Sequence, residues 1–166
     1  MDNIIGNNRS IYDNSVAYIR NADPDSAEAL ALMDKLSDYL KALTGSSGRN
    51  SFYSADFKVT RSLFVTAYNK KGEAIGCGAI HPMDEHSAEI KRVYAMFKGC
   101  GIGRAILTYL EKEAKNLGYK RLKLETRVIN NNAVLFYEAM GYKQIENYGK
   151  YAGNKETVCF EKCIDK

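Results

Sequence analysis

The stretch KGCGIGRAILTYLEKEAK, residues 98–115, places three alternate glycines in front of an amphipathic helix. Gly118 ends a run of apolar residues with helical spacing, namely Leu107, Leu110, Ala114 and Leu117. No Ser, Thr, Asp or Asn caps this helix, and its flanks are Lys98 and Arg104, although acidic side chains are preferred at that end. A phosphate bound by the free amide groups would supply both the cap and the negative charge. The stretch therefore predicts a phosphate-binding loop, and the plain alternative is a glycine turn that only packs a strand against the helix.

Two well-known phosphate loops do not fit this stretch. A Walker loop ends in Gly-Lys-Ser/Thr, which the segment GIGR lacks. In a dinucleotide fingerprint counted from Gly99, Arg104 would stand where the last glycine is required. Glu125 lies where a ribose-binding acid would be, but three strands before the loop leave too little chain for a doubly wound sheet. A dinucleotide site is the weaker alternative.

The segments around the loop alternate between strand and helix patterns. Asp23 is expected to cap a first helix with Pro24 in its first turn and Gly45 at its end. His81, which ends a strand before Pro82, is expected to be a turn residue, and a proton acceptor near the site is its alternative. The other helices are expected from the glycine loop to about 117 and at 131–140, and the strands at 14–20, 61–69, 73–81, 87–96, 121–126, 142–147 and 156–163. This order predicts an α/β fold with a mixed central sheet flanked by helices, and a parallel crossover around the glycine-loop helix. No linker or repeat interrupts it, so one domain over 1–166 is expected.

Composition excludes several classes of protein. The 166 residues are 45% hydrophobic with a net charge of +4 and no basic block, which argues against a nucleic-acid partner. No apolar run approaches about 18 residues and no signal-peptide pattern is present, so the sequence predicts a cytoplasmic protein without a membrane partner. With two histidines and no C-x-x-C spacing, we expect no metal site and free thiols at Cys77, Cys100, Cys159 and Cys163.

Two motifs in the correct order resemble the GCN5-related N-acetyltransferases, the GNAT family. KGCGIG (98–103) resembles the signature Gln/Arg-x-x-Gly-x-Gly/Ala, and NNNAVLFYEAMGY (130–142) resembles Asn-x-x-Ala-x-x-aromatic/Leu-Tyr-x-x-x-Gly-Phe. The likeness covers about residues 14–163 and implies the acyl-CoA N-acyltransferase fold. More narrowly, AEIKRVYA, LKLET, YGKY and VCFEK resemble a small bacterial subgroup. The sequence departs from the signature at Lys98, which keeps the charge but loses a planar donor, and in a segment before Lys98 that is about two residues short.

The resemblance implies acetyl-CoA as the cosubstrate. In that family the strand before the loop splays from its neighbour and its backbone pairs with the pantetheine, while the loop amides hold the pyrophosphate. Carried onto this sequence, Asn130 would bind the pantetheine arm and Ala133 would leave room beside it. The remaining coenzyme-binding residues implied are Val93, Tyr94, Ala95, Lys98, Gly99, Cys100, Gly101, Ile102, Gly103, Arg104 and Tyr137.

Acetyl transfer to an amine needs a base for the ammonium, a donor for the oxyanion and an acid for the leaving thiolate, but no covalent enzyme intermediate. Tyr137 matches the family tyrosine that faces the coenzyme sulfur as general acid. Its plain alternative is packing beside Phe136. A backbone N–H near Tyr94 is the expected oxyanion donor.

Glu89 is the expected general base, acting directly or through a water. Strand alternation would place it on one face with Lys91 and Val93, and a salt bridge to Lys91 is its plain alternative. Glu125, at the end of the next strand, is the second candidate, with a capping or charge-pair role as its alternative.

The function expected from these residues is transfer of the acetyl group of acetyl-CoA to a primary amine of a small or amino-acid-like molecule by direct attack. Lys91 and Arg92 would favour an acceptor that carries a carboxylate, and Tyr148 and Tyr151 would line its pocket. A protein or peptide amine is the alternative acceptor, and a non-catalytic acetyl-CoA binding module is the alternative function. Family members are often dimers, so the resemblance leans towards a homodimer while the residues leave the oligomeric state open.

Overall fold

The computed structural model describes residues 14–49 and 52–165. Within these residues the chain forms one seven-stranded sheet, three α-helices and two short 3-10 helices at Ser54–Phe57 and Gly149–Tyr151. The strands are β1 (Tyr18–Asn21), β2 (Leu63–Tyr68), β3 (Ala74–Pro82), β4 (Ser87–Ala95), β5 (Arg121–Arg127), β6 (Lys143–Ile145) and β7 (Thr157–Cys163). The helices are α1 (Ala27–Thr44), α2 (Ile102–Asn116) and α3 (Asn131–Ala139). This confirms the predicted α/β architecture of a mixed sheet flanked by helices.

The sheet has the strand order β1-β2-β3-β4-β5-β7-β6. Strands β1 to β4 form an antiparallel meander, and β7 lies antiparallel between β5 and β6. Strands β4 and β5 run parallel and are joined through the glycine loop and α2. The parallel crossover predicted from the sequence is therefore confirmed, and it places the glycine loop where β4 ends.

Two hydrophobic layers cover the two faces of the sheet. Leu32 and Met33 of α1 pack with Phe64 on one face, and Ile106 and Leu110 of α2 pack on the other. Full burial of one such side chain contributes about 1.5–3 kcal/mol. These layers hold β4 between α1 and α2, so both faces of the strand that leads into the loop are covered.

The start of α1 differs from the prediction. Ser26, not Asp23, is the N-cap, and its hydroxyl accepts a hydrogen bond of 3.2 Å from the amide of Ala29. The Asp23 carboxylate instead accepts from the amide of Asp25 and closes a turn before the helix. The end of the helix is as predicted, because Gly45 adopts φ 81° and donates its amide to the Lys41 carbonyl.

Two strand boundaries also differ. Strand β1 begins at Tyr18 rather than 14, because its partner β2 ends at Tyr68 and offers no further backbone to pair with. His81 is not in a turn but within β3, paired with Glu89 of β4, because the hairpin continues as far as Pro82 and Ala88. This register brings the His81 ring beside the Glu89 carboxylate.

The packing of α2 on β3 depends on Gly76. A Cβ atom there would lie 2.7 Å from side-chain atoms of Ile102 and Ile106 and 2.8 Å from the Tyr94 carbonyl oxygen. We expect Gly76→Val to lower the free energy of unfolding by about 3 kcal/mol in urea denaturation, since the backbone carbonyl cannot yield. Gly153→Val, at φ 77° in open space, should cost only about 1 kcal/mol of backbone strain. Equal losses would contradict the packing explanation.

Candidate active site

The parallel strands β4 and β5 separate soon after they begin. Their paired residues are Ser87 with Arg121, Ala88 with Leu122, and Glu89 with Lys123, and the pairing ends there. From residue 90 onward the edge of β4 that faces β5 has no strand beside it among the described residues. Its backbone donors and acceptors are therefore free to pair with an extended ligand.

A β-bulge at Arg92 reverses which side chains of β4 face which helix. Arg92 has φ 55°, and the register with β3 shifts at this point. Val93 consequently packs in the core layer of α2, whereas Tyr94 packs in that of α1. The expectation that Glu89 and Val93 share a face was wrong, because simple alternation fails across a bulge. Arg92 is fixed towards α1 by donating to the Ser37 hydroxyl at 2.9 Å.

The glycine loop reaches α2 with its amides uncapped by side chains. Gly101, the N-cap, has φ 74°, and Gly99 has φ 73°, so both positions favour glycine. A Cβ atom at either position would meet nothing within 4 Å. No described side chain bonds the cap, no acidic residue lies in the first turn, and Lys98 and Arg104 are exposed. The loop is thus an open, electropositive set of backbone donors that suits a phosphate.

A cavity of about 660 Å³ lies between this loop, β4 and α3. Most of the residues predicted to bind the coenzyme line it: Val93, Tyr94, Ala95, Lys98, Gly99, Gly101, Ile102, Gly103, Arg104, Asn130, Ala133 and Tyr137. Cys100 does not line it; its side chain packs against the core beside the carbonyl of Lys98. The sequence motifs therefore come together around one cavity.

Helix α3 supplies three of these residues from one side. Asn130 is the N-cap, and its side-chain oxygen accepts from the amide of Ala133 at 3.3 Å. Tyr137 is buried between the edges of the Phe136 and Tyr142 rings. Among the described residues its hydroxyl has no hydrogen-bond partner, and burial raises the pKa of Tyr137 above its ordinary value. The hydroxyl is therefore protonated at neutral pH and free to donate.

A second cavity, of about 340 Å³, adjoins the first one at Tyr137. It extends along the gap between β4 and β5. The residues that it shares with the first cavity are Leu36, Leu40, Val93, Asn130, Ala133 and Tyr137. Polar residues form much of its remaining lining, namely Lys91, Arg92, Glu125, Thr126, Arg127, Lys150, Asn154 and Thr157. Tyr137 is thus common to an open, glycine-lined chamber and a smaller, charged one.

Glu89 is buried beneath this second cavity and does not line it. His81 lies 2.9 Å from one carboxylate oxygen, Tyr148 donates to the other at 2.6 Å, and the Lys91 ammonium is 3.6 Å away. Burial alone would raise the pKa of Glu89, but the His81 hydrogen bond, the Lys91 charge and the Tyr148 hydrogen bond outweigh it and leave the pKa below its ordinary value. These three neighbours therefore stabilise the ionised form of the Glu89 carboxylate.

The lowered pKa of Glu89 makes acid stability dependent on this residue. The unfolded chain binds a proton at Glu89 at higher pH than the folded chain does, so this stabilisation is present above the ordinary pKa of 4.5 and is lost as the pH falls through the lower folded value. We expect Glu89→Gln to be less stable than the parent at pH 7 and to lose less further stability on acidification below about pH 5. Urea denaturation between pH 3 and 7 gives the pH dependence of the free energy of unfolding for both proteins. Parallel pH dependences would contradict the lowered pKa of Glu89.

Polar side chains with hydrogen-bond partners lie along the gap between Glu89 and Glu125. The Lys91 ammonium donates to the Tyr151 hydroxyl at 2.7 Å, and Thr157 donates its hydroxyl to the Glu125 carboxylate. Burial lowers the pKa of Lys91, although the charges of Glu89 and Glu125 oppose this shift. Tyr148 and Tyr151 were both predicted to line the acceptor pocket, but they lie in different places. Tyr151 lines the second cavity, whereas Tyr148 donates a hydrogen bond to Glu89.

Arg127 and Thr157 are site residues that the sequence reasoning missed. Arg127 ends β5 and Thr157 begins β7, and the antiparallel register pairs them directly. Neither belongs to a motif, so only the pairing of β5 with β7 brings them to the cavity. A pattern that could have indicated Arg127 is its place two residues after Glu125 on the same strand, which puts both on one face.

Two further searches of the described residues bear on the class of protein. None of their helices combines the length and apolar character that crossing a bilayer requires. Nor do three or more His, Cys, Asp or Glu side chains converge within them as a metal site would need.

Comparisons with known proteins agree with this geometry. Residues 29–142 match the model of the acetyltransferase (GNAT) family. The uncharacterized N-acetyltransferase YsnE of Bacillus subtilis is 26% identical over 144 residues, which cover 83% of this chain and 95% of YsnE. Another B. subtilis relative is 39% identical over 77 residues, and the chain spans 48% of its length.

Solved structures show the same fold. A Klebsiella pneumoniae protein assigned to the acyl-CoA N-acyltransferases superimposes with a TM-score of 0.75 and 27% identity, covering 89% of this chain and 97% of that one. A family member from Elizabethkingia anophelis with acetyl-CoA bound gives a TM-score of 0.66 at 19% identity, covering 88% and 97% of the two chains.

Proposed function

Because the chain belongs to the acetyltransferase (GNAT) family, we propose that it transfers the acetyl group of acetyl-CoA directly to the primary amine of a small or amino-acid-like molecule. The observation that carries this proposal is the pair of cavities that meet at Tyr137, one at the glycine loop and one in the gap between β4 and β5. Such an arrangement allows a coenzyme and an acceptor to enter from different sides and react at a shared wall.

The residues of the first cavity fit a coenzyme A molecule. The uncapped amides from Lys98 through Arg104 would hold the pyrophosphate, and the free edge of β4 at residues 93–95 would pair with the pantetheine. Asn130 retains its side-chain N–H₂ for the pantetheine arm, because its oxygen already caps α3. The structure of the Elizabethkingia relative with acetyl-CoA bound supports the choice of coenzyme.

Acetyl-CoA supplies an activated acyl group as a thioester. The acceptor amine attacks the thioester carbonyl, a C–N bond forms, the C–S bond breaks, and coenzyme A leaves as a thiolate that takes up a proton. Tyr137 is proposed to donate that proton, since its hydroxyl lacks a partner among the described residues and lies where the two cavities meet. A backbone N–H near Tyr94 is proposed to stabilise the oxyanion.

For the base, Glu125 has the more favourable position. Its side chain belongs to the lining of the acceptor cavity, whereas Glu89 does not. Glu89 is also held by His81, Tyr148 and Lys91, and its lowered pKa makes it a weaker proton acceptor. We therefore propose that Glu125 removes the amine proton, and that Glu89 anchors Lys91 at the floor of the cavity.

An acetyl-CoA consumption screen tests the proposal. Release of coenzyme A thiol would be followed with amino acids, polyamines and short peptides as acceptors, alongside calorimetry of acetyl-CoA binding. Turnover with a small amine supports the proposed function, and turnover with peptides alone would assign a protein acceptor. Binding of acetyl-CoA without thiol release from any acceptor would indicate a binding module and overturn the proposal.

A further inference from the structure

The lining of the acceptor cavity carries an unusual balance of charge. Its cationic side chains are Lys91, Arg92, Arg127 and Lys150, and the carboxylate among its described lining residues is Glu125. A cavity that receives a polyamine or another polycation would be expected to show the opposite balance, because like charges repel most strongly where water is excluded. The charge of this cavity favours a ligand with an anionic group.

Two buried donors in this cavity lack partners. The Nε atoms of Arg92 and Arg127 are buried and form no hydrogen bond among the described residues, and both arginines belong to the cavity lining. Leaving a buried donor unpaired costs about 1–3 kcal/mol, so each such atom needs an explanation. A carboxylate that displaces the atoms now covering these Nε–H groups would give both a partner.

The rest of each guanidinium is already held. Arg92 donates from its two terminal nitrogens to the Ser37 hydroxyl at 2.9 Å and the Ser47 carbonyl at 3.3 Å. Arg127 is 3.3 Å from the Glu156 carboxylate, which is largely exposed. Both side chains thus have contacts outside the cavity lining, Arg92 with two neutral acceptors and Arg127 with an exposed carboxylate, and their Nε donors are unused.

We propose that the acceptor is an amine that also carries a carboxylate, and that Arg92 and Arg127 bind this carboxylate while the amine faces Glu125. The inference rests on the proposed function, which it narrows from primary amines in general to amino acids. Guanidinium groups suit this role because their planar donors match the geometry of a carboxylate. Polyamines such as spermidine lack the group that these arginines recognise and are excluded as acceptors.

The test compares amino acids with their own carboxamides. Thiol release would be measured for alanine, methionine and phenylalanine, each beside its amide, and for spermidine. We expect kcat/KM for the acids to exceed that for the amides by at least about tenfold, the worth of one charge-assisted hydrogen bond. Arg127→Gln should lower kcat/KM for the acids roughly 10- to 100-fold, mainly through KM, and leave the amides within about twofold. Arg127→Lys should restore part of the loss.

Arg121→Gln is the matched control, because Arg121 begins the same strand, is exposed and does not line the cavity. The inference would be overturned if kcat/KM for the amides or spermidine equalled that for the acids. It would also be overturned if Arg127→Gln lowered kcat/KM equally for acids and amides. If no amine releases thiol, the proposed function fails, and calorimetry decides the inference separately. Protein saturated with coenzyme A would be titrated with N-acetylphenylalanine and its amide; preferential binding of the acid, lost in Arg127→Gln, would support the anion site, and its absence would overturn it.

Discussion

Replacing Tyr137 with phenylalanine is expected to lower kcat about 100- to 1000-fold, the usual contribution of a positioned general acid, with little change in KM for acetyl-CoA. The substitution removes one hydroxyl and keeps the ring that packs against Phe136 and Tyr142. Because that hydroxyl has no partner among the described residues, its loss leaves no buried group unsatisfied. The fold should therefore survive while proton donation to the leaving thiolate is lost.

The raised pKa of Tyr137 bears on how it could act as an acid. Burial disfavours the phenolate, which would make the tyrosine a poor proton donor to a thiolate in water. The thiolate would form beside Tyr137 in the same buried region, however, so burial disfavours that anion as well. The pKa of the coenzyme A thiol and the pKa of Tyr137 therefore rise together. Tyr137 should contribute no ionisation to the pH profile of kcat in the neutral range, and Tyr137→Phe should lower the whole profile without changing its shape.

Thiol release and thermal unfolding on the same samples check this prediction. Tyr109→Phe is the control, because Tyr109 lies on α2, lines neither cavity, and its hydroxyl makes one long hydrogen bond of 3.4 Å, to Asn21, among the described residues. It should keep kcat within about twofold, as expected for a change outside the site. Near-parental kcat in Tyr137→Phe would reject the acid role, and a large fall in its unfolding temperature would assign Tyr137 to packing.

The sequence was sufficient for the fold because its signals are local. Glycines at 99 and 101 with positive φ angles, an uncapped amphipathic helix and a strand on either side specify the crossover wherever the rest of the chain lies. The same holds for the coenzyme cavity, whose predicted residues belong to two contiguous segments. Local patterns of this kind are read from spacing alone.

The acceptor side could not be predicted in the same way. It is assembled from β4, β5 and β7, and the bulge at Arg92 reverses the side-chain alternation on which the prediction for β4 relied. Glu89 was predicted as the base from its strand position, yet its surroundings come from β3 and from the loop that carries Tyr148. Contacts between segments distant in sequence decide whether a carboxylate is a base or an anchor.

Replacing Glu125 with glutamine is the substitution that separates these two roles. We expect kcat at pH 7 to fall about 100-fold or more, since the amide cannot accept the amine proton. It remains able to accept the hydrogen bond that Thr157 donates to the carboxylate, so the geometry of the cavity should be kept.

Glu89→Gln should behave differently, because Glu89 is buried away from the cavity lining. Its amide would place an N–H₂ group beside the donors that now face the carboxylate, and the Lys91 ammonium would lose its nearest counter-charge. We expect a loss of stability and a fall in kcat of about tenfold or less, as for a residue that acts through its neighbours.

Measuring kcat, kcat/KM across pH 5 to 9 and urea unfolding for both variants distinguishes the assignments. Glu161→Gln is the matched control, since Glu161 is a half-buried carboxylate on β7 that pairs with Lys123 at 3.8 Å outside both cavities. A large loss of kcat confined to Glu125→Gln, with the fold intact, identifies Glu125 as the base. If Glu89→Gln alone abolishes turnover while the fold is intact, the proton passes to Glu89, and His81 and Tyr148 then become the groups that tune a buried base rather than those that hold an anchor.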